Sequence, residues 1–190
     1  MRSNYEVIAI GASWGGLQAV GTLLEGIPPE LEQTIVVAQH RSAEAGRGVL
    51  ESLLQRRIPR PVTEPGDKDP IERSRVYVAP PDYHLLVEDG HFALSVDARV
   101  QFARPSIDVL FESVADAYRE RAVGVVLTGA NEDGAAGLAA IKRNGGVSVV
   151  QDPQTAERRA MPDAAIAGSV ADAILPLEAI APFLYGLCCP

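Results

Sequence analysis

Residues 6–16 read Glu-Val-Ile-Ala-Ile-Gly-Ala-Ser-Trp-Gly-Gly. The first five, Glu6 to Ile10, are apolar after Glu6 and rich in β-branched residues, the pattern of a buried strand. Glycines at 11, 15 and 16 then let the chain turn sharply. Leu17, Val20, Leu23 and Leu24 follow at helical spacing, which predicts a helix over Gly15 to Leu24. A strand, a tight glycine turn and a helix make the opening unit of an α/β fold.

The same alternation returns along the chain. Thr34 to Ala38 reads as a second strand, and Ala45 to Arg57 as a helix carrying Val49, Leu50, Leu53 and Leu54. Arg56 to Asp69, rich in proline and charge, reads as a surface loop. Three short strands come next, Arg75 to Ala79, Leu85 to Glu88 and Phe92 to Val96. Asp89-Gly90 between the last two is a hairpin signal. The alternation then resumes with a helix over Ser106 to Tyr118, a strand over Val123 to Leu127 and a helix over Gly134 to Arg143. A strand over Val147 to Val150, a short strand over Ala173 to Leu175 and a closing helix over Leu177 to Leu187 complete the pattern. The expectation is a doubly wound, mostly parallel sheet with helices on both faces and an antiparallel hairpin excursion inserted in it.

Composition narrows the function classes. The chain has 190 residues, 47% hydrophobic and 22% charged, the balance of one folded domain over residues 1–190. Its net charge of −8 argues against nucleic-acid binding, which needs a basic face. The two cysteines, Cys188 and Cys189, are adjacent, so no disulfide framework is expected. No apolar run approaches the ~18 residues of a membrane helix, and Met1 to Glu6 have no signal-peptide character. The expected location is cytoplasmic, without membrane insertion. The three histidines and two cysteines show no metal-binding spacing, so neither metal nor cofactor is expected.

Open α/β sheets bind ligands beyond the carboxyl ends of their strands. Just past the first strand stands Ser13, past the second His40, and past the strand at 123–127 Asp133. These are a nucleophile, a general base and an orienting carboxylate. Gly11 to Gly15 also fits G-x-S-x-G, a serine on a sharp strand-to-helix turn. That short match fits a phosphate-binding loop or a helix-capping serine as well. His40 also reads as an exposed loop histidine, Asp133 as the N-cap of the helix that follows it, a role compatible with orienting a histidine, and Asp152 is a rival orienter. His84 and His91, beside the hairpin, read as structural. The chain order Ser, His, Asp departs from that of α/β-hydrolases. A dinucleotide fold is disfavoured by Ser13 at the central glycine position and by Gln39-His40 where an acid is needed.

Six segments in order carry a resemblance. They are Gly-Ala-Ser-x-Gly-Gly at 11–16, Gln39-His40, Val-Tyr-Val-Ala-Pro at 76–80 and Arg104-Pro105-Ser106-Ile107-Asp108. The last two are Leu127-Thr128-Gly129 with Asp133-Gly134-Ala135, and Met161-Pro162. From about residue 5 to 184 the chain resembles the catalytic domain of the chemotaxis receptor protein-glutamate methylesterases, the CheB family. The resemblance implies hydrolysis of methyl-glutamate esters on the acidic helical cytoplasmic region of methyl-accepting chemotaxis receptors, and deamidation of selected receptor glutamines. It makes Ser13 the nucleophile, His40 the acid/base and Asp133 its orienting carboxylate, with backbone N–H groups of Trp14 and Ala130 in the oxyanion region. The chain departs from the family pattern at Trp14, where Thr is common, at Ala130, where Met is usual, and at Asn131-Glu132, where Gly-Asn is usual. The family's regulatory form carries an N-terminal receiver domain; the catalytic pattern here starts at once, so no receiver is expected in this chain. Local charge adds a docking expectation. Five arginines and two glutamates lie between His40 and Arg60, and Arg41, Arg47 and Arg104 are expected to meet the acidic substrate. The competing reading is a methylesterase-like module that binds receptors without turnover.

Overall fold

A computed structural model describes residues 4–42, 44–168 and 171–189. Seven parallel strands form one sheet in the order β3-β4-β2-β1-β7-β8-β9. In chain order they are β1 Val7–Ala12, β2 Thr34–Gln39, β3 Val62–Thr63, β4 Val76–Val78, β7 Ala122–Val126, β8 Val147–Gln151 and β9 Ala173–Leu175. The strands β5 His84–Val87 and β6 Phe92–Ser95 pair antiparallel with each other. The helices are α1 Gly16–Gly26, α2 Val49–Gln55, α3 Ile107–Tyr118, α4 Ala135–Arg143, α5 Ala160–Gly168 and α6 Leu177–Cys188. None is long and apolar enough to cross a membrane.

Every residue of β1, β2 and β7 is buried. Alternate side chains serve two cores, as a sheet covered on both faces requires. Ile8, Ile10, Ile35, Val37 and Val125 face α1, α2 and α6 through Val20, Leu23, Leu54, Ile180 and Leu184. Val7, Ala9, Val36 and Val126 face the other way, toward Leu110 and Phe111 of α3, Ile141 of α4 and Met161 of α5. The chain leaves β1 for β2 on one side and later crosses to β7 on the other. The switch point, where ligand sites form in such sheets, therefore falls at the ends of β2, β1 and β7.

The doubly wound expectation holds, and the hairpin excursion is antiparallel as read. It forms a sheet of its own instead of joining the main one. The reason is that β4 has no free edge: β2 pairs with one side and the short β3 with the other. The hairpin packs on α3 instead, with Val87 N–H donating to Ser113 Oγ at 3.0 Å. One strand and one α-helix went unread, β3 inside the proline-rich loop at 56–69 and α5. A two-residue strand has no period to detect. In α5 the small Ala and Gly residues draw no apolar stripe, and only Met161, Pro162 and Ala165 are buried. α2 begins at Val49, later than expected, because Gly48 takes a left-handed conformation (φ 73°) immediately before it.

One close approach joins the sheet to α3. A Cβ on Gly11 would overlap Cγ2 of Ile107, so the absent side chain lets the start of α3 rest on the end of β1. Gly11→Ala should therefore lower stability by about 1–3 kcal/mol, measured by urea unfolding. Combining it with Ile107→Ala should cost less than the sum of the two single changes, because the second removes the methyl that the first collides with.

Candidate active site

Ser13 begins the turn between β1 and α1. Its N–H donates to Thr128 O (3.0 Å), and its carbonyl accepts from Gly16 N–H (2.8 Å) and Gln39 Nε2 (2.7 Å). The backbone is thus pinned from β7 and β2 while the hydroxyl stays free to react. Gly15 adopts φ 75°, a left-handed conformation that suits glycine. His40 follows β2, its N–H donating to Ala12 O at 3.0 Å. Its Nδ1 lies 3.2 Å from Ser13 Oγ and its Nε2 lies 2.6 Å from Asp133 Oδ2. A carboxylate can only accept, so Nε2 carries the proton and Nδ1 turns its lone pair to the serine. Three residues from three strand ends meet in one chain of hydrogen bonds, as the strand-end argument anticipates.

Asp133 is fully buried. Besides His40, Oδ2 accepts from Ile107 N–H (2.8 Å), and Oδ1 accepts from Ser106 Oγ (2.9 Å) and Asp108 N–H (2.9 Å). Ile107 and Asp108 are the first two residues of α3, whose unpaired N–H groups and dipole favour an anion there. Burial pushes the Asp133 pKa up. The hydrogen bond from His40 and the Asp108 and Ile107 N–H groups outweigh that push and hold it below the usual carboxylate value.

Reading Asp133 as the cap of the helix that follows it requires correction. α4 has no side-chain cap from its flanking residue. Its free N–H groups are met from α3 instead: Asp108 Oδ1 accepts from Gly134 N–H (2.9 Å) and Gly137 N–H (2.7 Å). Asp133 thus caps α3 while Asp108 caps α4. Burial, and then the charge of Asp133, raise the Asp108 pKa to about 6 against the pull of those two N–H groups. Sequence reasoning missed Asp108 as a site residue; an Asp in the first turn of a helix is too common to stand out.

Buried His84 went unassigned to the site as well. It accepts from Ser106 N–H at Nδ1 (3.2 Å) and donates from Nε2 to Ala98 O (3.1 Å), tying the hairpin to the residue that holds Asp133. The rival orienter Asp152 closes a local turn by accepting from Gln154 N–H at 2.9 Å. Glu132 is exposed. His91 pairs with Glu88 at 2.7 Å beside the hairpin turn.

The backbone N–H groups of Trp14 and Ala130 have no hydrogen-bond acceptor among the described residues. The turn that carries them is fixed by Thr128 Oγ1, which donates to Trp14 O (3.0 Å) and accepts from Arg158 N–H (2.9 Å). The Trp14 ring is 58% exposed. Its Nε1 donates to Glu157 Oε1 (2.9 Å), and the Arg158 guanidinium lies 5.4 Å from the ring centre.

The three docking arginines differ in their commitments. Arg41 donates to Glu64 Oε1 (2.6 Å) and Ala79 O (2.5 Å), and Arg104 to Asp82, Val96 O and Asp97 O. Both line a cavity of about 460 Å³ together with His40, Ser42, Arg99 and Phe102. Arg47 lies outside that lining, 57% exposed and 3.8 Å from Glu64. Among the described residues no group of His, Cys, Asp and Glu is placed to hold a metal ion.

Known proteins share the sequence pattern and the fold of this chain. A family model described as CheB methylesterase matches residues 8–184. A Leptospira interrogans protein provisionally named protein-glutamate methylesterase/protein-glutamine glutaminase is 48% identical over 179 residues, covering 94% of this chain and 92% of its own. A Hahella chejuensis protein-glutamate methylesterase/protein-glutamine glutaminase is 42% identical over 180 residues, which make up 93% of this chain but 49% of that protein. The crystal structure of the Thermotoga maritima CheB methylesterase catalytic domain superposes with a TM-score of 0.90 at 28% identity, covering 96% of this chain and 98% of that one.

The Asp108–Asp133 arrangement has a pH signature. The Asp108 pKa rises from 3.8 to about 6 on folding. Between those values the folded state holds more protons than the unfolded one, so this group's contribution to stability falls as pH rises. Asp108→Asn removes that slope. Relative to wild type, the variant should gain stability from pH 4.5 to pH 7.5 in urea unfolding; a difference that does not change with pH would mean that Asp108 titrates as it does in the unfolded chain.

Proposed function

The chain belongs to the CheB methylesterase family, and from that premise we propose that it hydrolyses methyl esters of glutamate side chains on chemoreceptors, in the cytoplasm. The glutaminase half of its relatives' names extends the proposal to receptor glutamines. The observation that carries this reading is the continuous contact from Ser13 Oγ through His40 to a carboxylate held by four hydrogen bonds.

Ser13 Oγ attacks the ester carbonyl while His40 Nδ1 takes its proton. The imidazolium that forms is stabilised by Asp133, already ionised and immobile, so little reorganisation is needed during the reaction. The unpartnered N–H groups of Trp14 and Ala130 are the donors offered to the oxyanion of the tetrahedral intermediate. His40 returns the proton to the departing methanol, or to ammonia from a glutamine, leaving an acyl-enzyme on Ser13. Water, deprotonated by the same nitrogen, then releases glutamate. Docking on the acidic receptor region is assigned to Arg47, with Arg41 and Arg104 lining the cavity beside His40. Arg41 and Arg104 also hold loops in place, so their loss should disturb structure as well as docking.

Ser13→Ala should abolish methanol release from methylated receptor and labelling by a fluorophosphonate probe, with the fold intact by circular dichroism. Continued methanol release would remove Ser13 from the mechanism, and a binding module without turnover would leave wild type unlabelled. Asp133→Asn should lower kcat on the order of 10⁴-fold, because an amide can favour the wrong imidazole tautomer. Raising salt should slow turnover on receptor more than on a small neutral methyl ester, since only the receptor presents charge to Arg47; equal slowing would exclude electrostatic docking.

A further inference from the structure

Phe102 is 96% exposed, more than any other large apolar side chain among the described residues. It occupies the second central position of a two-residue turn, Gln101-Phe102. Reciprocal bonds close the turn, from Val100 N–H to Ala103 O (3.1 Å) and from Ala103 N–H to Val100 O (2.8 Å). Both central residues have positive φ, 46° at Gln101 and 66° at Phe102. Turns of this kind favour Asn and Gly, and a bulky residue in that region is an outlier.

Two unfavourable features therefore coincide, a strained backbone and a large ring left in water. Neither helps the fold. Bonds from within and beyond the turn hold it in place: Gln101 Nε2 donates to Asp108 Oδ2 (3.3 Å), and Arg104, just past the turn, is bonded to Asp82 and to the carbonyls of Val96 and Asp97. Strain that the surroundings over-determine in this way points to function. The ring lines the cavity that His40 also lines, and a second one with Glu132, Ala160 and Ala164. The rest of the His40 cavity is rich in arginine and other polar groups, so a substrate presenting only carboxylates would leave Phe102 uncovered.

We propose that Phe102 is a specificity-determining anchor for the polypeptide substrate, covered by an apolar side chain that neighbours the esterified glutamate. The inference rests on the methylesterase reading and adds a sequence preference to it: modified glutamates with an apolar neighbour are turned over faster than those flanked by polar residues alone. Part of the binding energy of the intact substrate is then gained away from the reacting atoms. A small ester has no such neighbour.

The test compares wild type, Phe102→Gly and Phe102→Leu on a methyl-esterified receptor cytoplasmic fragment and on p-nitrophenyl acetate. Glycine relieves the left-handed strain, so Phe102→Gly should melt higher than wild type. At the same time its KM for the fragment should rise at least fivefold with kcat little altered, and the loss in kcat/KM should be several-fold larger on the fragment than on the small ester. Phe102→Leu, which keeps an apolar side chain, should retain most of the wild-type KM. A gain in stability with a loss of fragment affinity separates an anchor from a residue that only supports the fold. Unchanged fragment KM in Phe102→Gly, or equal losses on both substrates, would overturn the anchor while leaving the esterase reading in place. Failure of wild type to release methanol from the fragment would overturn both.

Discussion

Asp133 and Asp108 each occupy the N-terminus of the other's helix, and the site is organised around that exchange. Asp133, which leads into α4, accepts from the first N–H groups of α3; Asp108, in the first turn of α3, accepts from Gly134 and Gly137 at the start of α4. Each helix begins with N–H groups that lack internal partners and a dipole that favours negative charge. Two carboxylates buried side by side repel, and the raised Asp108 pKa records that repulsion together with the burial. The helix termini compensate for it. The result is a carboxylate beside His40 that is ionised, desolvated and fixed.

The surroundings serve this arrangement. The missing side chain at Gly11 lets Ile107 settle on the end of β1, which brings the α3 terminus to Asp133. Ser106 adds its hydroxyl, and His84 holds the Ser106 backbone from the hairpin. The hairpin, a separate two-stranded sheet packed on α3, thereby braces the carboxylate that is bonded to His40. The loop that carries Phe102 reaches the same network through Gln101 and Asp108, so the exposed aromatic tip and the buried carboxylate pair share one support.

Trp14, next to Ser13 in the chain, stands at the rim of the site with its ring largely exposed. The indole is held by Glu157 and Arg158, from the segment between β8 and α5. The turn behind it is tied to the same segment through Thr128. The chain spans about half the length of relatives such as the Hahella chejuensis protein and nearly all of the Leptospira interrogans one. The N–H groups of Trp14 and Ala130 that lack an acceptor among the described residues are backbone groups, which persist whatever side chain the residue carries.

Strand and helix alternation, and the placement of Ser13, His40 and Asp133 at three strand ends, were legible in the sequence alone. These features are written in local periodicity, in glycine turns and in the rule that parallel α/β sheets present their carboxyl ends on one side. Which helix Asp133 would cap was not legible. The nearest candidate in sequence, α4, was the wrong one, because the partner N–H groups lie about 25 residues upstream and are brought close only when β1 and β7 pair. The separate hairpin, the role of His84 and the internal partners of Arg41 and Arg104 depend likewise on which strand edges and loop carbonyls are left free. That is decided by the order of strands in the assembled sheet, and no short stretch of sequence contains it.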